Sequence, residues 1–225
     1  KGIKEAAGGD VVHVAEGEYN GKGGAGVLQI NVPDLTLLGG YKADFSERNP
    51  WKYPVLVRRQ PGTKAGPVTE AIFQGDKGPS GQGGHNNFVL DGFVIDGATR
   101  NTYKKGGDKE GDLSDPSPRG PIVAFEGKGI KVRNNLILNS AERGLALWAK
   151  GGDNEISNNI ILNNLNRAID IWGQGEVVVR NNTCAFVWSL IDAEGYCLQV
   201  ARETKLKVEK NILALAHKYA VNNGL

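Results

Sequence analysis

Similar phrases return through the second half of this 225-residue chain at intervals of 23 to 29 residues, and nothing else restricts its fold as much. Val132-Arg133-Asn134-Asn135-Leu136 is echoed by Ile156-Ser157-Asn158-Asn159-Ile160, by Val179-Arg180-Asn181-Asn182-Thr183 and by Val208-Glu209-Lys210-Asn211-Ile212. A second phrase interleaves with the first, as Ile122-Val123-Ala124-Phe125, Leu145-Ala146-Leu147-Trp148, Ile169-Asp170-Ile171-Trp172 and Leu198-Gln199-Val200-Ala201. Short elements repeating in fixed order mean a solenoid. Aliphatic and β-branched residues on alternate positions argue for coils of strand rather than helical hairpins. Gly, at 32 residues, and clustered Asn supply the positive-φ turns that such coils need.

Composition excludes more than it assigns. A formal net charge of +2 is too small to make nucleic-acid attraction a main activity. No apolar run approaches the length of a membrane span. Cys184 and Cys197 are too few for a disulfide framework. Cys184 falls where Ile137 and Ile161 stand in other repeats, so it reads as a core thiol, and a bridge to Cys197 has no support. The chain starts at Lys1 without Met, and Ala220-Val221-Asn222-Asn223-Gly224-Leu225 starts a strand with no cap after it. It reads as one solenoid domain over 1–225, a fragment of a longer protein whose further coils, or a partner, cover the C-terminal edge. Residues 1–7 place Ile3, Ala6 and Ala7 on one helical face before Gly8-Gly9, which reads as a short N-terminal capping helix.

Gly9-Asp10-Val11-Val12-His13-Val14-Ala15-Glu16-Gly17-Glu18-Tyr19 resembles the opening of right-handed parallel β-helix proteins of the pectate-lyase-like superfamily. Leu38-Gly39-Gly40-Tyr41 with Asp44-Phe45-Ser46-Glu47-Arg48 is similar to secreted bacterial members of that group, and the Asn-Asn phrases look like its turn motif. The resemblance implies an all-β fold, a right-handed parallel β-helix of about six coils. It implies that the Ile122, Leu145, Ile169 and Leu198 strands form the first sheet and that the strands flanking each Asn-Asn form the second and third. Asn135, Asn159, Asn182 and Asn211 are then a ladder that satisfies buried backbone groups, a structural role. For activity the resemblance is weak, since the fold hosts lyases, hydrolases, epimerases and adhesins. It implies a secreted or cell-surface protein.

Strand alternation, with Leu145, Leu147, Ile169, Ile171, Leu198 and Val200 inward, sends two columns outward. One is expected to run His13, Phe73, Val123, Ala146, Asp170 and Gln199, and the other Phe125, Trp148, Trp172 and Ala201. The second would be an aromatic stripe suited to the C–H face of sugar rings, unless long loops fold over it and make it a second core. Arg119, Arg143 and Arg167 recur at 24-residue steps beside it. Stacked guanidiniums ask for anions, either an acidic polysaccharide or the nearby Glu142, Asp170 and Glu194. Long connections at 99–120 and 188–196 are expected to wall a cleft, with Asp192, Glu194 and Tyr196 on its nearer side.

Uronic-acid lyase chemistry needs a neutralised carboxylate, a base for the adjacent C–H and an acid for the leaving oxygen. Related β-helix lyases use Lys or Arg as base, often with Ca²⁺ held by carboxylates. By that analogy Arg143 and Arg167 neutralise, Lys150 or an arginine is the base and Tyr196 the acid. A hydrolase would pair Asp170 with Asp192 or Glu194. Asp108, Asp112 and Asp115 match a calcium loop in composition only, and His13, His85 and His217 are too scattered for a histidine metal site. The expected function is an extracellular acidic-glycan-binding or lyase-type protein, with a non-catalytic structural or adhesive segment as the alternative.

Overall fold

The computed structural model describes residues 2–21, 28–30, 32–59, 72–74, 86–97, 121–140, 143–189, 194–201 and 203–223. The expected insertion at 99–120, and with it Arg119, Asp108, Asp112 and Asp115, lies outside them, as do His85, Glu142 and Asp192.

The chain winds as a right-handed parallel β-helix with three faces, each a sheet of seven parallel strands. Seven successive rungs correspond to about six full turns. The second sheet contains β1 (Val11–Ala15), β4 (Thr36–Tyr41), β7 (Val89–Asp91), β10 (Lys131–Arg133), β13 (Asn154–Ser157), β16 (Glu176–Arg180) and β19 (Lys205–Glu209). The third contains β2 (Gly17–Gly21), β5 (Val55–Arg59), β8 (Val94–Asp96), β11 (Leu136–Leu138), β14 (Ile160–Leu165), β17 (Thr183–Trp188) and β20 (Ile212–Leu213). The first contains β3 (Leu28–Ile30), β6 (Ile72–Gln74), β9 (Pro121–Gly127), β12 (Arg143–Ala149), β15 (Arg167–Gly173), β18 (Tyr196–Val200) and β21 (Tyr219–Asn222). Helix α1 (Gly2–Glu5) sits at the N-terminal end, where Ile3 and Ala6 pack on the core.

The Asn-Asn phrase does two different jobs. Its first residue turns the chain between second and third sheets in the left-handed region, at φ 56° for Asn134, 54° for Asn158 and 54° for Asn181, with Lys210 at 52° in the last coil. Its second residue is buried and points along the axis. The Oδ1 of Asn159 accepts both the backbone N–H and the side-chain N–H of Asn135 at 3.0 Å. Asn182 does the same for Asn159, and Asn211 for Asn182. The amide nitrogens of these four also donate to the carbonyls of Leu90, Val132, Ile156 and Val179. Each tight bend thus leaves no amide of the ladder unmatched, which the interior requires.

Alternate strand residues fill one continuous interior, in which Val132, Ile156 and Val179 from the second sheet meet Ile137, Ile161 and Cys184 from the third and Leu145, Ile169 and Leu198 from the first. Cys184 takes the expected core position opposite Ile161. Both cysteines are free and buried, and burial pushes the Cys197 thiol up to about 11 and the Cys184 thiol well above its ordinary value, which leaves both as thiols.

Two sequence expectations about columns are corrected. His13 is on β1 in the second sheet, stacked on Tyr41 at 4.4 Å, and does not share the column of Asp170. On the first sheet it is Val123, not Ile122, that pairs with Leu145, so β9 sits one residue away from the alignment of the repeats. Because side chains alternate, that single step exchanges faces.

Candidate functional site

The outer face of the first sheet gathers most of the sequence-derived site, and the corrected register decides which residues reach it. Phe125 pairs with Leu147 and is buried in the core against Phe88, at 5.0 Å between ring centroids. It is therefore not part of the aromatic stripe. Glu126 takes its place beside Trp148, and Trp148 beside Trp172. The residue opposite Arg143 is Pro121, so the 24-residue step to Arg119 is not the register of the sheet. The column reads Pro121, Arg143, Arg167, Tyr196 and Tyr219.

The stripe is thus two tryptophans. Their ring centroids are 4.2 Å apart with planes tilted by 33°, and both rings are partly buried. The Arg143 guanidinium lies over the Trp172 ring at 4.6 Å from its centroid, with that of Arg167 at 6.0 Å. A cation held over an aromatic face is attracted by its quadrupole, which fixes both groups.

Beneath this shelf is an ion cluster. Ala168 and Ile169 both enter the core, so the strand turns outward on either side of them and Arg167 and Asp170 meet three residues apart. Asp170 is fully buried, and one of its oxygens, Oδ2, lies 2.6 Å from Arg167 Nη1 and 2.9 Å from Arg143 Nε. Its other oxygen, Oδ1, has no hydrogen-bond partner among the described residues. Glu194, just before β18, accepts from Arg167 Nη2 at 2.5 Å. The expectation that acidic side chains satisfy these arginines holds for Asp170 and Glu194. Burial pushes the Asp170 carboxyl up to about 6, against the pull of Arg167 and Arg143. With Asp170 ionised the four groups are neutral together, and with it protonated they carry one positive charge.

The remaining residues do not converge here. Lys150 follows β12 and pairs with the buried Glu126, at the far end of the strand from Arg143. Seven residues of strand separate the two, on the order of 20 Å. Tyr196 starts β18 on the arginine side, where it is buried and stacks on Tyr219 at 6.0 Å. Lys150 as base and Tyr196 as acid therefore stand at opposite edges of the sheet, whereas an arginine base would share the edge of Tyr196. Arg119 and Asp192 lie outside the described residues, and among the described residues no group of His, Cys, Asp or Glu could hold a metal ion. Ala124 and Ala146, although outward in the sheet, are buried. Among the described residues no helix is long and apolar enough to cross a membrane.

Two groupings escaped the sequence reading. Arg48, Arg133 and Asn134 form a second ion cluster around the buried Asp91, invisible because its members lie some 40 residues apart (Arg48 to Asp91, 43; Arg133 to Asp91, 42). The Trp188 side chain is tied to the corner between third and first sheets through Asn163. The one available signal for it was Phe186, an aromatic in a repeat position that Asn occupies in earlier coils.

A family model described as right handed beta helix region matches residues 86–213, more than half of the chain. No curated protein and no solved structure matches. The ladder, the three parallel sheets and this match agree, and the chain belongs to the right-handed β-helix family.

Proposed function

We propose that this is a secreted or cell-surface polysaccharide-interacting protein whose first sheet binds an acidic glycan, with lyase-type processing as the reaction if the bound chain is cleaved. The observation that carries this reading is the Trp148–Trp172 shelf with the Arg143 guanidinium over it. A pyranose ring stacks its C–H face on such a shelf, and a uronate carboxylate beside it meets the edge of the guanidinium pair. Arg143 and Arg167 retain 21% and 15% side-chain exposure, enough for contact at their rims.

Binding is better supported than elimination with Lys150 as base, because Lys150 and Tyr196 do not face one another across the arginines; an arginine base beside Tyr196 is the remaining version of that reaction. If cleavage occurs, the groups at the surface of the shelf are Arg143 and Arg167, with the buried Asp170 beneath them, its carboxyl raised to about 6.

The second reading, a structural or adhesive segment without a ligand here, is favoured by the internal pairing of both arginines and by the burial of Ala124 and Ala146. Polygalacturonate, alginate and chondroitin sulfate, offered with and without Ca²⁺, separate the readings. Retardation in a polysaccharide-loaded native gel, weakened in Trp172→Ala, is the expected result. Growth of unsaturated-product absorbance would add lyase activity. Neither retardation nor products on all three polymers leaves the scaffold reading standing.

A further inference from the structure

Phe186 breaks the pattern of its corner. The register pairs Leu138 with Leu162, Leu162 with Ala185 and Val187 with Ala216, which stacks Asn139, Asn163, Phe186 and Leu215 at one bend of successive coils. All four are in the left-handed region, at φ 59°, 56°, 56° and 52°. Asn tolerates that conformation, whereas a bulky residue is a genuine outlier there. Strain of this kind persists where the surroundings impose it and gathers at functional sites.

What the strain achieves is display. The Phe186 side chain is 47% exposed, and Trp188, two residues on along the same strand, is 49% exposed. Leu215, Ile212 and Tyr219 are also exposed, but they belong to the last rung of the described strands. Phe186 and Trp188 are one rung further in, so their exposure is a property of the face. The Trp188 ring is held in place. Its indole N–H donates to Asn163 Oδ1 at 3.1 Å, Asn163 Nδ2 donates to Asn139 Oδ1 at 2.7 Å, and Asn139 Nδ2 donates to Asp96 Oδ1 at 2.7 Å. A one-way chain of donors ending on a carboxylate polarises each member.

We propose that Phe186 and Trp188, backed by Asn163 and Asn139, form a sugar-stacking ledge at this corner, which continues the glycan path of the first sheet around the edge of the helix. The proposal rests on the first-sheet reading for its ligand. Continuity comes from the backbone. Asn166, which precedes Arg167, donates its N–H to the Trp188 carbonyl at 2.7 Å and accepts from the N–H groups of Gly195 and Tyr196 at 3.0 and 2.9 Å. The ledge and the arginine cluster are therefore fastened to one residue. The ledge itself is two aromatic rings and two amides, with the single carboxylate of Asp96 at its far end. Such a surface suits the apolar face and hydroxyls of pyranose rings rather than their carboxylates.

The test compares Phe186→Asn, Trp188→Ala and Trp172→Ala in the 225-residue chain, by retardation in gels loaded with polygalacturonate, by melting temperature and by light scattering. Asn fits the bend better than Phe, so Phe186→Asn should melt at or above the wild-type temperature while its affinity falls roughly fivefold. Trp188→Ala should weaken affinity by at least as much. If Trp172→Ala abolishes retardation and both ledge variants retain it, the ledge is refuted and the first-sheet reading stands. If the ledge variants lose retardation and Trp172→Ala keeps it, the ledge stands alone and the first-sheet reading falls. A wild-type protein that is not retarded overturns both. Self-association that disappears in Trp188→Ala while retardation persists makes the ledge a protein contact and overturns the proposal.

Discussion

Asp91 and Asp170 are both outward on a parallel sheet, both buried and both flanked by two arginines, yet their arrangements differ in one respect. Asp91 uses both oxygens. Its Oδ1 accepts from Arg48 at 2.5 Å and Asn134 at 3.0 Å, and its Oδ2 from Arg133 at 2.7 Å. Asp170 offers a single oxygen to Arg143 and Arg167 and leaves the other without a partner. The first arrangement is a staple. Arg48 also donates to the Gly39 carbonyl at 3.0 Å and thereby fastens the loop after β4 to the coil of β7. Gly92 is part of it, since at φ +86° an added Cβ would sit 3.0 Å from the Arg48 guanidinium and 2.8 Å from the Gly39 oxygen. The second arrangement is incomplete as a stabilising device, and it lies against the tryptophan shelf. Saturated ion clusters hold coils together, while an unsaturated one marks where a ligand or a proton can still be accommodated.

The largest effect that would test this contrast is Asp91→Ala. It removes the shared acceptor of Arg48, Arg133 and Asn134, and denaturant unfolding should show a loss of about 3 kcal/mol, the arginines being partly solvated. A loss under about 1 kcal/mol would mean that the Asp91 cluster is not a staple.

Next in size is the pH response of Asp170. Its folded pKa of about 6 is above the ordinary aspartate value, so between about pH 4 and 6 the native state holds a proton that the unfolded chain has released. Stability from this group is therefore greatest below pH 4 and declines as pH rises through 6. Relative to Asp170→Asn, wild-type stability should drop by up to about 3 kcal/mol between pH 4 and pH 7.5. The opposite slope would mean that the arginines, not burial, dominate the carboxyl.

Binding offers a third test. Protonating Asp170 leaves the cluster with one positive charge, so retardation by polygalacturonate should strengthen as pH falls through about 6 in wild type and stay flat in Asp170→Asn. Trp172→Ala, which removes the partner of both Trp148 and Arg143, should weaken retardation by roughly tenfold at either pH. The smallest effect is expected from Lys150→Ala. It removes the partner of Glu126 far from the arginines, so unfolding should change by about 1 kcal/mol and glycan retention not at all. If products form and this variant abolishes them, Lys150 is a catalytic base after all.

Much of this molecule was legible from local pattern. The doubled Asn announces its bend because one residue must take positive φ and the next must satisfy a buried backbone, and both demands are met within a single coil. Leu145, Leu147, Ile169 and Ile171 announce the core by simple alternation. The cluster of Arg143, Arg167, Asp170 and Glu194 was also visible, because its two arginines recur in equivalent coils with acidic residues near them. Phe125 misled because the repeat spacing shifts where turns change length, and aligning phrases by similarity placed β9 one residue out. The Phe186 ledge escaped notice because αL strain is a property of a backbone that only the stacked corner reveals.

By itself, then, the sequence determined the coil, its three faces, its asparagine ladder and its interior. These follow from alternation and turn chemistry, which act over a few residues. Tertiary structure alone decided which side chains stack across coils. Lateral register depends on the length of every intervening turn and on hydrogen bonds between residues more than 20 positions apart. That register put Glu126 rather than Phe125 beside Trp148, and it joined Arg48 to Asp91 across 43 residues of chain.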